Sequence, residues 1–282
     1  MLTRRGMIAG LVGLAAAPMV GCANRSQPAV STTSSPPVTV PAVATDPSGR
    51  LDAVIDISHW TTVSDFNQAR RSSNILGVVH KASEGGDWRD PLYVERRSQA
   101  EAAGLMWGAY HFGTRQYSGA QQAAMFLSTA QPGPNTLMAL DLEFNEANPG
   151  NTMKLSQAEE FVQTILAATG RLPLVYTSAA WADGKPMGRA KCNLGGAIGG
   201  QSILAQCQLW LADYRVEPRI PGAWTDKGWH FWQYAGDAVK GGPFGAQARS
   251  VSGVDKCDRN LFPGDAVALR RFWTEEAGRK LA

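Results

Sequence analysis

Short apolar runs alternate with amphipathic stretches from about residue 50 onward, and the alternation predicts the elements. Residues 53–57 (Ala-Val-Ile-Asp-Ile) form a brief β-rich run, and 63–72 read as a helix. Residues 75–82 read as a buried strand, and 91–103 as a helix with Pro91 in its first turn. A strand over 105–112 and a helix over 118–130 capped by Ser118 come next. A strand over 136–142 then leads to a helix over 155–169 that ends at Gly170. After a strand over 172–177 the regularity fails. A glycine-rich stretch, 184–200, leads to the apolar run 209–212. Strands over 229–234 and 251–257 follow with no clear helix between them, and 263–281 closes as a helix. Five β/α units followed by three strands predict an α/β fold: an irregular TIM-like barrel that degenerates in its last third, with a C-terminal helix.

The first 49 residues break this pattern. Arg4 and Arg5 precede an apolar run over 7–20, shorter than the roughly 20 residues a membrane span needs. Its length and flanks are those of a secretory signal, and the Arg pair resembles a twin-arginine export signal. Met19-Val20-Gly21-Cys22 resembles a lipobox, so residues 1–22 are read as a signal peptide and Cys22 as the lipidated residue. Residues 23–49, rich in Ser, Thr, Pro, Val and Ala, cannot bury enough apolar surface to offset their ordering entropy. They are read as a disordered tether with a reach of about 30 Å, and residues 50–282 as one catalytic domain. The expected location is outside the cytoplasm, on a membrane.

Composition narrows the function. There are 27 Lys and Arg against 24 Asp and Glu, a net charge of +3 with no basic run, which excludes nucleic acid as the main partner. The four histidines lie far apart, no CxxC pair occurs, and HExxH, GxSxG, P-loop and GxGxxG motifs are lacking. No metal or cofactor is expected, and the chain is read as a monomer. The cysteines beyond Cys22 are Cys192, Cys207 and Cys257; in an oxidising compartment a Cys192–Cys207 disulfide is expected, with Cys207–Cys257 as the rival pairing.

The polar residues cluster where barrel chemistry sits, at the carboxyl ends of strands. Those ends carry Asp56, Lys81 with Glu84, His111, Asp141 with Glu143, Tyr176, Asp213, and Gln233 with Tyr234. Leu140-Asp141-Leu142-Glu143 is the sharpest element. Side chains alternate on a strand, so the two carboxylates share a side, roughly 7 Å apart along it. Leu137 and Ala139 share that inner face, while Met138, Leu140 and Leu142 face the helices. Two like charges in a partly dry site raise one pKa, which keeps an acid protonated near neutrality. His59 and His80 read as packed residues. Trp88, Trp107, Trp181, Trp210, Trp224, Trp229 and Trp232 could line a carbohydrate groove, two or three of them as sugar platforms.

Val54-Ile55-Asp56-Ile57-Ser58-His59-Trp60 resembles the opening strand of the glycoside hydrolase family 25 lysozymes. Val79-His80-Lys81-Ala82-Ser83-Glu84-Gly85, Gly108-Ala109-Tyr110-His111-Phe112, Leu140-Asp141-Leu142-Glu143, Val175-Tyr176-Thr177-Ser178, Leu209-Trp210-Leu211-Ala212-Asp213-Tyr214 and Phe231-Trp232-Gln233-Tyr234 are similar to family segments, in order. The resemblance spans about residues 51–264 and implies a flattened barrel. It implies cleavage of the β-1,4 bond between N-acetylmuramic acid and N-acetylglucosamine in peptidoglycan glycan strands. It places the general acid at Glu143, its partner at Asp141, and a further carboxylate at Asp56. A late aspartate of the family matches Asp258 best, with Asp255 as competitor. Substrate-binding roles are expected at Tyr110, His111, Tyr176, Trp210, Asp213, Gln233, Lys81 and Glu84. A shared strand face suits a retaining, substrate-assisted mechanism, and a direct nucleophile at Asp56 or Asp141 is the alternative. Two other functions fit much of the pattern: a non-catalytic glycan-binding lipoprotein on a decayed barrel, or hydrolysis of another N-acetylated glycan such as chitin.

Overall fold

The computed structural model describes residues 44–236, 242–244 and 249–276, so the signal peptide, the lipobox with Cys22 and most of the tether lie outside the described residues. In chain order the elements are β1 (Leu51–Ile57), β2 (Thr62–Val63), α1 (Phe66–Ser72), β3 (Gly77–Glu84), β4 (Trp88–Arg89), α2 (Tyr93–Ala102), β5 (Met106–Phe112) and α3 (Gly119–Ala130). Then come β6 (Leu137–Asp141), α4 (Leu155–Thr169), β7 (Leu174–Thr177), α5 (Ala179–Ala182), α6 (Ile203–Gln206), β8 (Leu209–Ala212), β9 (Phe231–Ala235), β10 (Val254–Asp255), β11 (Asp258–Phe262) and α7 (Ala266–Arg271). The sheet runs β1-β11-β9-β8-β7-β6-β5-β3, and β3 pairs back with β1, closing an eight-stranded barrel; β4 adds to β3 outside it.

Local chemistry explains the regular part. Ser118 caps α3, its Oγ accepting from the Gln121 backbone N–H while its own N–H donates to Gln121 Oε1, and Gly170 ends α4 at φ 69°, in the left-handed region a glycine enters freely. Strand alternation sorts the core into two layers. Leu137 and Ala139 of β6 join Leu174, Trp210 and Phe231 inside the barrel. Met138, Leu140 and Leu142 join the layer against the helices, with Phe126, Phe161 and Ile165.

The last third departs from the expected elements in one consequential way. Seven barrel strands are parallel, but β11 is antiparallel to both of its neighbours, β1 and β9. The strand expected over 251–257 is reduced to β10, which pairs with β2 away from the barrel. The closing strand begins instead at Asp258. With no crossover helix among the described residues between β9 and β11, the chain returns antiparallel, as a hairpin does. The start of β11 therefore lies at the same end of the barrel as the carboxyl ends of the other seven.

The opposite end is plugged by the C-terminal segment. Leu269, Phe272 and Trp273, on α7 and the π turn after it, join the barrel's inner core. Trp273 donates its indole N–H to the Trp107 carbonyl at 3.0 Å. Its ring lies over Gly77 and Gly108 at the starts of β3 and β5; a Cβ on Gly77 would meet it at 2.7 Å. Trp273→Ala is expected to cost about 3–5 kcal/mol, the range for emptying a buried tryptophan site, read as a lower urea midpoint. An unchanged midpoint would remove the plug from the stability of the barrel.

The expected Cys192–Cys207 disulfide does not form, and Cys192, Cys207 and Cys257 are free thiols. Cys207 is buried after α6 with its Sγ 3.5 Å from the Ile203 carbonyl, whereas the Cys192 Sγ lies 3.7 Å from the Pro149 carbonyl in a separate turn. Burial pushes the Cys207 thiol up to about 12, so it stays protonated and unreactive.

Candidate active site

The inward positions at the carboxyl end of the barrel build a pit of about 120 Å³, lined by Asp56, Tyr110, Asp141, Glu143, Tyr176, Trp210, Gln233 and Asp258. Each residue arrives by strand parity. Asp56 is the last inward residue of β1 and Tyr176 of β7, and Tyr110 is the inward residue of β5 before Phe112; Asp141 ends β6, and Glu143 follows on the same side. Asp258 reaches the pit because β11 is antiparallel. Asp255 is exposed on β10, and of the two it is Asp258 that lines the pit.

One wall is a fixed hydrogen-bond lattice. The Gln233 Nε2 donates to both Asp56 oxygens, at 3.0 and 3.1 Å, and to Asp258 Oδ2 at 3.2 Å. Its Oε1 accepts from the hydroxyls of Tyr176 and Tyr214, both at 2.8 Å, which leaves the amide only one orientation. Asn260 donates to Asp56 Oδ2 at 2.7 Å and accepts from the Trp210 indole N–H at 2.7 Å. Burial pushes the Asp56 carboxyl up to about 6, opposed by the hydrogen bonds from Asn260 and Gln233.

The other wall is unsatisfied. Asp141 is buried, and its Oδ1 has no hydrogen-bond partner. Burial, and next the Glu143 charge, hold its carboxyl well above the usual range. Burial pushes the Glu143 carboxyl up to about 7, helped by the charges of Glu146 and Asp56 and opposed by Lys81. The pair therefore keeps a proton to neutral pH and beyond. Tyr110 stands between these walls; burial and the Asp141 charge push its hydroxyl up, so it stays neutral.

Beside the pit opens a cleft of about 740 Å³ that shares Glu143 and Tyr176 with it. Its other walls come from Phe112 and from the loops after β6, β7 and β8. Asp213 lines this cleft, but its carboxylate is occupied. It accepts from Arg215 Nε at 2.8 Å and from the Arg219 backbone N–H at 2.8 Å, so it organises the loop. Lys81 and Glu84 pair with each other at 2.6 Å, and the Lys81 ammonium lies over the rings of Trp88 and Phe112.

His111 is not at the site. It neighbours Tyr110 on β5 and so points outward, buried against α3 and α4. There it bonds to Ser83 at 2.9 Å and Gln122 at 3.2 Å and stacks on Phe161. Burial pushes its imidazole down to about 3, so it is neutral. The expected tryptophan platforms are largely core: Trp107, Trp181, Trp210, Trp224 and Trp232 are buried, and of the seven only Trp210 lines the pit. Sequence reasoning missed Asn260 and Tyr214. Asn260 was findable, since it lies two residues after Asp258 and shares its face; Tyr214 sits on a loop that no periodicity places.

Comparison with known proteins agrees with this geometry. The family model for glycosyl hydrolases family 25 matches residues 55–242. The chain is 28% identical over 226 residues to Lysozyme M1 of Streptomyces globisporus, covering 76% of this chain and 69% of that protein. It is 26% identical over 246 residues to the N,O-diacetylmuramidase of Arthroderma benhamiae, covering 83% and 92%. The crystal structure of the bacterial lysozyme from Streptomyces coelicolor superposes with a TM-score of 0.63 at 26% identity, over 79% of this chain and 96% of that one. The muramidase from Acremonium alcalophilum gives 0.60 at 29% identity, over 80% and 99%. A carboxylate pit at the mouth of an eight-stranded barrel and a family match across two-thirds of the sequence lead to one assignment: the chain belongs to glycosyl hydrolases family 25 and is a glycoside hydrolase.

Proposed function

We propose that this enzyme is an N-acetylmuramidase that cleaves the β-1,4 bond between N-acetylmuramic acid and N-acetylglucosamine in peptidoglycan, with retention of configuration and with the substrate's own acetamide as nucleophile. The observation that carries the mechanism is the asymmetry of the pit. Asp56 is tied down by Gln233 and Asn260, whereas Asp141 keeps a buried, unpartnered oxygen beside Glu143, and burial holds a proton on that pair. A buried orphan acceptor is costly unless a ligand donor meets it. An acetamide N–H is such a donor.

Glu143 gives its proton to the glycosidic oxygen as that bond breaks, and the acetamide oxygen closes on the anomeric carbon. Asp141 accepts from the acetamide N–H, orienting it and balancing the positive charge of the cyclic intermediate. Glu143, now a carboxylate, takes a proton from the water that opens the ring on the face the leaving group left. Asp56 and Asp258, held by Gln233, stabilise positive charge at the reacting centre. Tyr110, Tyr176 and Trp210 shape the sugar site. The test is reducing-end release from purified peptidoglycan and from chitin, with the anomer followed by proton NMR. Release from peptidoglycan alone, with the β-anomer formed first, supports the reading. Equal activity on chitin would make it a hydrolase of another N-acetylated glycan, no release would leave a glycan-binding lipoprotein, and inversion would remove the acetamide nucleophile.

Cys22, lipidated after export, would hold the enzyme on a membrane with the 23–49 tether giving it reach to the wall. Cys22→Ser is expected to move the protein from the membrane pellet to the soluble fraction, because several acyl chains anchor firmly where one is marginal. A variant still pelleting after a high-salt wash would rule out the lipid anchor.

A further inference from the structure

Trp60 is 84% exposed, the most exposed large apolar side chain among the described residues. A single exposed tryptophan needs no function by itself; what sets this one apart is how its loop is held. Trp60 lies four residues after Asp56, just beyond the carboxyl end of β1. Arg96, a buried side chain of α2, donates to the Ser58 carbonyl and to the Thr61 carbonyl, each at 2.6 Å, on either side of Trp60. Asp90, also buried, accepts from the His59 backbone N–H at 2.8 Å and contacts its Nδ1 at 3.0 Å. Two buried charged groups thus fix the loop, and its large side chain is left in solvent.

The ring does not stand alone. His59 lies 4.5 Å from Trp60 and 5.1 Å from Trp88, centre to centre. Trp88 meets the Lys81 ammonium, which also faces Phe112, and Phe112 is a wall of the large cleft. In the barrel order, β1 and β3 lie across the mouth from β6, β7 and β8, whose loops build that cleft. The carboxylate pit lies between the two. A polymer seated in the cleft and threaded past Glu143 leads toward Trp60.

We propose that Trp60, backed by His59 and Trp88, is a platform on which a sugar ring of the glycan strand stacks, remote from the cleavage point and on the opposite side of the pit from the cleft. The occupant is a sugar face: pyranose C–H groups pack on an indole, while the basic side chains that touch these rings are engaged, His59 with Asp90 and Lys81 with Glu84. The loop's rigidity means that stacking costs little ordering, so the contact adds to polymer affinity. The inference rests on the reading of the substrate as a glycan strand.

The test has two arms. The kcat/KM on polymeric peptidoglycan, divided by that on the shortest cleavable fragment, is expected to fall roughly three- to tenfold in Trp60→Ala, the range of one aromatic contact. Trp60→Phe should recover most of that ratio. In the second arm, Glu143→Gln and Glu143→Gln/Trp60→Ala are compared for retention on insoluble peptidoglycan and on glycan strands stripped of peptides; the double variant should bind more weakly to both. An equal loss on polymer and fragment, or a retention defect that vanishes on peptide-free strands, overturns the proposal. The retention arm does not depend on turnover, so a wild-type enzyme that fails to cleave peptidoglycan sinks the muramidase reading without deciding the platform.

Discussion

Glu143→Gln is expected to fold normally and to lose roughly 10²–10⁴-fold in kcat, the contribution of a positioned general acid. The amide matches the carboxyl in size but has no proton to give to the glycosidic oxygen. The same substitution has a stability signature. Burial, then the Glu146 charge, raises the Glu143 carboxyl from 4.5 to about 7. Between those values the folded chain binds more protons than the unfolded one, so wild-type stability falls as pH rises through the window. The glutamine removes that loss. Its urea midpoint should match wild type below pH 4.5 and exceed it progressively up to pH 7, at about 1.4 kcal/mol per pH unit. Half of wild-type activity would dismiss Glu143 as the acid, and parallel stability curves would dismiss its raised pKa.

Much of the site was legible in the sequence for one physical reason: strand parity. Once Leu137 and Ala139 are taken as inward, Asp141 and Glu143 must follow them, and both line the pit. The same rule exposes a mistake. Tyr110 and His111 are neighbours on one strand and cannot both face the mouth, and the structure turns His111 out between the helices. Burial of β5 on both faces hid the choice, because either residue could have been the inward one. Asp213 lines the cleft with its carboxylate already engaged. It stands beyond the end of β8, where Arg215 and Arg219, its near neighbours in sequence, claim its oxygens. The reversal of β11 was the least legible feature, since a two-residue pairing outside the barrel replaces the expected strand. That reversal matters for chemistry, because it brings Asp258, the first residue of its strand, to the mouth.

Asp141→Asn is expected to reduce kcat/KM by roughly 10²–10³-fold, the scale of losing one preorganised electrostatic partner of the transition state. An asparagine can still accept from the acetamide N–H, but it brings no negative charge to the cyclic intermediate. The pH profile should change as well. In the wild type, Asp141 and Glu143 share a dry site, and the last proton leaves the pair only against the charge already formed. Without the Asp141 charge, Glu143 loses its proton at the pH set by burial and by the charges of Glu146, Lys81 and Asp56. The alkaline limb of the activity profile should therefore move to lower pH. A direct carboxylate nucleophile at Asp141 gives a different outcome: activity falls far below this range and is restored by a small external nucleophile such as azide, with inverted product. Azide rescue would replace the acetamide mechanism with that one. An unshifted alkaline limb would mean that the two carboxylates do not share a proton.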